Sequence, residues 1–239
     1  MSSEIKVVPD LPALYRAGAH EFARCAREAV AAHGRFTIAL SGGSTPKGVY
    51  SLLAEADDLP WEKIHFFFGD ERDVPPTDPE SNYRMANESL LSKVPVPPGN
   101  VHRIATEMGA RLAALQYQSE LYAFFNLAPD GWPRFDLILL GMGPDGHTAS
   151  PFPGSAALNE TDFWVTDNWV EKFKSYRITL TFPVINHAAE VMFLVAGQDK
   201  SQILKGVLQG KAEAYPCQRI KPLNGHLLWI VDKAAASLL

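Results

Sequence analysis

Apolar residues along this chain fall into short unbroken runs separated by stretches of helical periodicity. Phe36–Leu40, Ile64–Gly69 and Phe135–Leu140 are almost wholly apolar. Runs of that length suit strands buried on both faces of a parallel sheet. Further strands are expected at Val101–Ile104, Phe163–Thr166, Tyr176–Phe182, Glu190–Ala196 and Leu227–Val231. Between them the period lengthens. Asp10 and Pro12 open a helix running to about His33, with Leu14, Ala17, Cys25 and Ala29 on its apolar stripe and Gly34 to close it. Thr45 is placed to cap a second helix, with Pro46 at its first position and Val49, Leu52 and Leu53 turned inward. Ser81 caps a third helix through about Leu91. Gly109–Asn126 is a fourth, carrying Leu112, Leu115, Leu121, Phe124 and Phe125 on its apolar side and broken by PDGWP. Asp199–Leu208 and a short Lys233–Leu239 complete the helices. Strands alternating with helices predict an α/β fold, a mostly parallel sheet with helices on both faces. Residues 1–239 read as one domain, since no repeat, low-complexity segment or linker divides them.

Three strand-to-loop junctions carry the candidate chemistry, because ligands in open α/β sheets sit beyond the carboxyl ends of strands. After Phe36–Leu40 comes Ser41-Gly42-Gly43-Ser44-Thr45-Pro46, with glycines, hydroxyls and a helix N-terminus. Exposed N–H groups and the positive end of a helix dipole make such a junction an anion cradle. It is not a Walker A loop, since no Gly-Lys-Ser/Thr follows at the required spacing. After Phe135–Leu140 comes GMGPDGH, in which Asp145 and His147 stand two residues apart. An imidazole shuttles protons near neutral pH, and a carboxylate beside it fixes its tautomer. GMGPDG matches G-x-G-x-x-G in letters, but Pro151 and Pro153 would break the long helix that a dinucleotide fingerprint must open. After Ile64–Gly69 comes Asp70-Glu71-Arg72-Asp73, where Arg72 offers bidentate contact to an oxyanion. The proline-rich VPPTDPES that follows forms a long loop of the kind that usually carries function. Arg177 and Lys200 could supply the remaining cationic groups of such a pocket.

The formal net charge of −5 opposes nucleic-acid binding, which shows as a basic excess, but leaves room for an anionic small molecule held in a local cationic pocket. The two cysteines, Cys25 and Cys217, lack zinc spacing and read as free thiols of a reducing compartment. No apolar run reaches the ~18–20 residues of a membrane span, and the N-terminus lacks the pattern of a signal peptide. The expected setting is therefore cytoplasmic, with no membrane partner. No G-x-S-x-G elbow occurs, which argues against a serine hydrolase.

LSGGSTPKGVY, FFFGDERDVPPTDPESNYRMA, FDLILLGMGPDGHTASPFPG, RITLTFPVIN and GHLLWIVDKAA occur in this order and spacing. Together they resemble the 6-phosphogluconolactonases of the pentose phosphate pathway, within the wider family that includes glucosamine-6-phosphate deaminase. The resemblance implies a Rossmann-like fold and hydrolysis of 6-phospho-D-glucono-1,5-lactone to 6-phospho-D-gluconate, with no metal or other cofactor. It implies that His147 is the acid/base residue and that Asp70 and Arg72 stand at the reacting end. It also implies that Ser41–Thr45, Arg177 and Lys200 hold the phosphate. Water attack assisted by His147 would place negative charge on the carbonyl oxygen, to be met by Arg72 or by backbone N–H groups of Gly141–Gly146. Partners would be limited to the sugar-phosphate lactone, with the protein a monomer or weak homodimer.

Two positions depart from the family's pattern. Pro151 replaces a leucine, and Ala188–Ala189 stand where an arginine is frequent. The deaminase branch differs after the shared DGH, with an acidic residue a few positions on and DEY in place of DER. A sugar-phosphate sensor would need a DNA-binding head, and about 34 residues before the first expected strand do not hold one.

Overall fold

The computed structural model describes residues 2–127, 131–211 and 213–239. Six strands form its centre: β1 (Ser2–Val8), β2 (Phe36–Leu40), β3 (Ile64–Phe68), β5 (Leu137–Leu140), β8 (Glu190–Val195) and β9 (His226–Asp232). They make one sheet in the order β1-β9-β8-β5-β2-β3, in which every neighbouring pair runs parallel. Successive side chains of a strand point to opposite faces. Every residue of β2, β5 and β8 is buried, so both faces of this sheet are covered. The Rossmann-like α/β architecture is as the apolar runs predict.

Helix α1 (Leu11–His33) begins where Asp10 accepts a hydrogen bond from the Ala13 N–H at 2.8 Å. It ends on Gly34, whose φ of 84° suits the left-handed closing residue. Ser81 caps α3 (Asn82–Ser89) through the Arg84 N–H at 3.1 Å. Both caps match the sequence reading.

Helix α2 (Ser44–Leu53) differs. It starts one residue before Thr45, with Gly43 at the cap position and no side chain bonded there. Tyr50 rather than Leu52 joins Val49 and Leu53 in the core. Helix α4 (Ala110–Phe125) buries Ala110, Ala113, Ala114, Tyr117 and Leu121, leaving Leu112 54% and Leu115 41% exposed. Small residues let the helix approach closely, and the tyrosine finds a use for its hydroxyl inside. Helix α4 ends at Phe125, and the PDGWP break falls partly on residues outside the described ones.

Strand β1 escapes the apolar pattern. Its Glu4 and Lys6 look unsuited to a strand, yet it is an edge pairing only with β9, and Lys6 reaches Glu21 of α1 at 3.1 Å. Val101–Ile104 reduces to a single bridge between Val101 and Phe66, and Lys233–Leu238 forms turns rather than a helix. Helices α5 (Phe182–Asn186) and α6 (Ser201–Gln209) complete the set.

A separate three-stranded sheet is built from β4 (Asp70–Arg72), β6 (Val165–Val170) and β7 (Ser175–Leu180). Its order is β4-β7-β6, antiparallel throughout. The Asp-Glu-Arg run is thus itself a strand. Its pairing brings Arg72 directly opposite Arg177.

Chain order fixes where a ligand can sit. From β2 the chain moves outward to β3 on one side, while β5 and β8 lie on the other. The carboxyl ends of β2 and β5 therefore diverge around the switch point where α/β sheets open a crevice.

Candidate active site

At that switch point lies a cavity of about 260 Å³ lined by Ser41–Pro46, Asp70, Arg72, Asn82, Gly141–Gly143, His147–Ala149, Leu194–Ala196 and Lys200. Of the residues singled out in the sequence, Ser41, Gly42, Gly43, Ser44, Thr45, Asp70, Arg72, His147 and Lys200 are all brought here. Asp145 and Arg177 are not part of the lining.

Two buried tyrosines hold the rims. The Tyr50 hydroxyl accepts from the Ser41 N–H at 3.0 Å and donates to the Ser41 carbonyl at 2.9 Å. Tyr117 does the same for Phe68, at 2.8 and 3.2 Å. Each satisfies both backbone groups of a residue at the end of a strand, where the ladder no longer can. Burial pushes both phenols well above their ordinary range, so they stay neutral. Loss of the hydroxyl in Tyr50→Phe strands a buried N–H and C=O, at a cost of about 1–3 kcal/mol. Thermal unfolding should record a fall of roughly 2–12 °C, from ~2–4 °C per kcal/mol at this chain length. An unchanged melting temperature would mean the bracket carries no stability.

The Ser41–Thr45 segment turns sharply at Gly43, whose φ is 105°. Gly42 is required for a different reason. A Cβ there would lie 2.0 Å from the Asn82 Oδ1 atom. The Asn82 amide in turn donates to the Asp70 carbonyl at 2.9 Å and carboxylate at 3.2 Å, tying the two loops together. Because α2 begins without a side-chain cap, the N–H groups of its first turn face the cavity region unclaimed by any hydroxyl or carboxylate.

Asp70 is 8% exposed, and Ser150 donates to its second oxygen at 2.7 Å. Glu71 turns the other way. It accepts from the N–H groups of Arg72, Asn82 and Tyr83 and from the Ser81 hydroxyl, all within 3.0 Å. Burial raises its carboxyl above the usual range and these bonds oppose the rise, so Glu71 anchors α3 and takes no place in the cavity.

His147 is held from three sides. Its Nδ1 bonds the Asp145 carboxylate, its ring stacks on Phe152 at 3.8 Å between centroids, and its Cε1 lies 2.0 Å from where a Cβ on Gly143 would stand. With Nδ1 committed to Asp145, Nε2 is the nitrogen left for a ligand. Burial lowers the affinity of His147 for a proton, and this outweighs the opposite pull of Asp145 and Asp70. For Asp145 burial acts upward, but the His147 hydrogen bond and charge bring it below the ordinary carboxylate range. Next to the imidazole, Ala149 adopts φ 45°. It is fixed there because Thr148 donates to the Gly141 carbonyl at 2.8 Å and Ser150 is tied to Asp70. Strained backbone of this kind gathers at functional sites.

Two expectations need revision in detail. The N–H groups of Gly143 and Gly146 are spent inside the loop, on the carbonyls of His147 at 2.9 Å and Gly143 at 3.0 Å. They are not free to meet an oxyanion. Arg177 lies across the strand pair from Arg72 and outside the cavity lining, with its guanidinium 5.4 Å above the Phe173 ring and bonded to Ser175 at 3.1 Å. Burial and the Arg72 charge lower its proton affinity, the mark of two like charges placed side by side. Ala188–Ala189 sit at the amino end of β8, opposite to the cavity end. An arginine there would be separated from the site by a six-residue strand, about 20 Å.

Asn82, Tyr50, Thr148 and Ser150 were not singled out from the sequence. Only the hydroxyls of HTAS hinted at the last two. Among the described residues no group of three or more His, Cys, Asp or Glu is arranged to hold a metal, Cys25 and Cys217 are both free and buried, and no helix is long and apolar enough to cross a membrane.

The family of glucosamine-6-phosphate isomerases and 6-phosphogluconolactonases matches residues 9–229. The chain belongs to that family. Within it, a 6-phosphogluconolactonase from Nostoc sp. is 43% identical over 240 residues, covering 99% of this chain and 98% of its own. One from Synechocystis sp. is 44% identical, covering 87% and 86%. The solved structure of a 6-phosphogluconolactonase from Trypanosoma cruzi superposes with a TM-score of 0.90 at 32% identity, over 100% of this chain and 98% of that one. A monomeric glucosamine-6-phosphate deaminase shares the fold, with a TM-score of 0.81 at 19% identity.

Proposed function

We propose that this family member hydrolyses 6-phospho-D-glucono-1,5-lactone to 6-phospho-D-gluconate, in the oxidative pentose phosphate pathway. The observation that carries the reading is the meeting, in one cavity, of an uncapped helix N-terminus, Lys200 and the free edge of a carboxylate-oriented imidazole. The phosphate docks on Ser41–Thr45 and Lys200, with Arg177 adding positive field from beside Arg72. This fixes C1 of the lactone near His147. Nε2 takes a proton from water as its oxygen attacks C1. The tetrahedral intermediate then collapses, the bond from C1 to the ring oxygen breaks, and His147 returns the proton to that oxygen. Arg72 meets the charge on the carbonyl oxygen. One of its nitrogens donates to the Glu80 carbonyl, which leaves most of its five N–H groups for this task. Asp145 keeps the tautomer. Asp70 keeps negative charge close to the imidazolium as it forms. Residues 1–239 act as one domain, cytoplasmic and monomeric or weakly dimeric.

The base must be unprotonated to act. Because the folded environment lowers its proton affinity, the acid limb of kcat/KM against pH should lie below the ordinary histidine value of about 6.5. Acid release from the lactone, corrected for spontaneous opening, tests both activity and limb. Release of ammonia from glucosamine 6-phosphate instead, with no lactone turnover, would overturn the proposal.

A further inference from the structure

The turn between β6 and β7, Glu171–Lys174, leans on the Asp145–His147 pair. Lys172 places its Nζ 3.7 Å from Asp145 Oδ2, the oxygen that does not face His147. Next to it, the Phe173 ring meets the edge of Phe152 at 5.7 Å and 77°, and Phe152 is the ring stacked on His147. Glu171 is engaged elsewhere, with Lys174 and with the Trp169 indole N–H. Lys172 therefore has Asp145 as its ion-pair partner among the described residues. The turn is locally determined, with Phe173 N–H bonded to the Val170 carbonyl at 3.0 Å and Lys174 at φ 49°.

Resting on the lactonase reading above, we propose that Lys172 is a positioning residue for the Asp145–His147 pair. Its ammonium holds the far oxygen of Asp145 so that the near oxygen stays on Nδ1, while Phe173 backs Phe152 against the imidazole. The charged and titratable groups facing His147 are Asp145 on its own loop, Asp70 of β4 and Lys172 of this turn. Arg72 and Lys200 line the same cavity. The buried Cys217 thiol donates to the His147 carbonyl at 3.6 Å, and Tyr215 packs beside Gly146. Of these, Lys172 is the cation that reaches the pair from outside the cavity, so its removal leaves the substrate-facing charges intact.

The direction of the effect follows from its sign. A positive charge beside the pair disfavours the imidazolium, so its loss makes His147 easier to protonate. Lys172→Met should move the acid limb of kcat/KM up by roughly 0.2–0.7 pH unit, the reach of an exposed ion pair. KM for the lactone should not change. Lys172→Arg should restore the wild-type limb. A limb that stays in place in Lys172→Met overturns the inference, as does a Lys172→Arg limb that fails to return to the wild-type position. Failure of the lactonase reading looks different, since wild type would then show only the spontaneous rate. Lys172 is 55% exposed on its side chain, so its replacement tests the site and not the fold.

Discussion

His147→Ala lowers kcat by about 10²–10⁴-fold, the usual contribution of a positioned acid–base group, while 6-phosphogluconate still binds. The expectation rests on how the ring is held. Asp145 occupies Nδ1, Phe152 covers one face, and only Gly143 leaves room for the ring edge. Among the described residues of the lining, His147 is the one imidazole. Asp70 already accepts from Asn82 and Ser150 through its two oxygens, and the nearby Cys217 thiol is kept protonated by burial. The phosphate cradle is built from β2, α2 and the segment after β8, whereas the ring is held by Asp145 and Phe152, so product affinity should survive. Base consumption at constant pH, with the spontaneous rate subtracted, gives kcat, and calorimetric titration with product gives affinity. A variant that turns over at a near-normal rate would remove His147 from the mechanism.

Lys200→Ala raises KM on the order of 10–100-fold and disturbs kcat much less. Its ammonium lines the cavity with a side chain 21% exposed, and the nearest carboxylate, Asp199, is 3.6 Å away and itself largely in solvent. That pairing is weak. A phosphoryl group at the start of α2 would find in Lys200 a partly desolvated cation, where a charged hydrogen bond contributes about 1.5–3 kcal/mol. At ~1.4 kcal/mol per tenfold this gives the stated range. Unphosphorylated gluconolactone is the control. Its slow hydrolysis should be the same in variant and wild type, because it has nothing for Lys200 to hold. A fall in kcat as steep as the rise in KM would instead place Lys200 at the reacting end.

Strands buried on both faces were legible because burial leaves no polar position to blur the pattern. β2, β3, β5 and β8 appear within two residues of where their apolar runs begin and end. Caps were legible where a side chain does the capping, as at Asp10 and Ser81, and misplaced at α2, where the helix starts uncapped. The uncapped start is what leaves its N–H groups for a ligand. Helix α4 misled because Leu112 and Leu115 face outward while Leu121 faces in, which a helical period alone cannot rule out. The inner face was chosen by packing against β6 and β7, elements far away in sequence.

Neighbouring residues spell out a set of local devices: a glycine-rich bend before a helix, an imidazole two residues after a carboxylate, an arginine beside an aspartate, and apolar runs of strand length. Each depends on neighbours within a few residues. Which of these devices share a cavity, and which way each faces, is settled by the folded chain. The strand order opens the sheet between β2 and β5, the antiparallel pairing sets Arg177 opposite Arg72, and the β6–β7 turn brings Lys172 to Asp145. Such pairings are settled by burial and hydrogen bonding between segments dozens of residues apart, where no local pattern reaches.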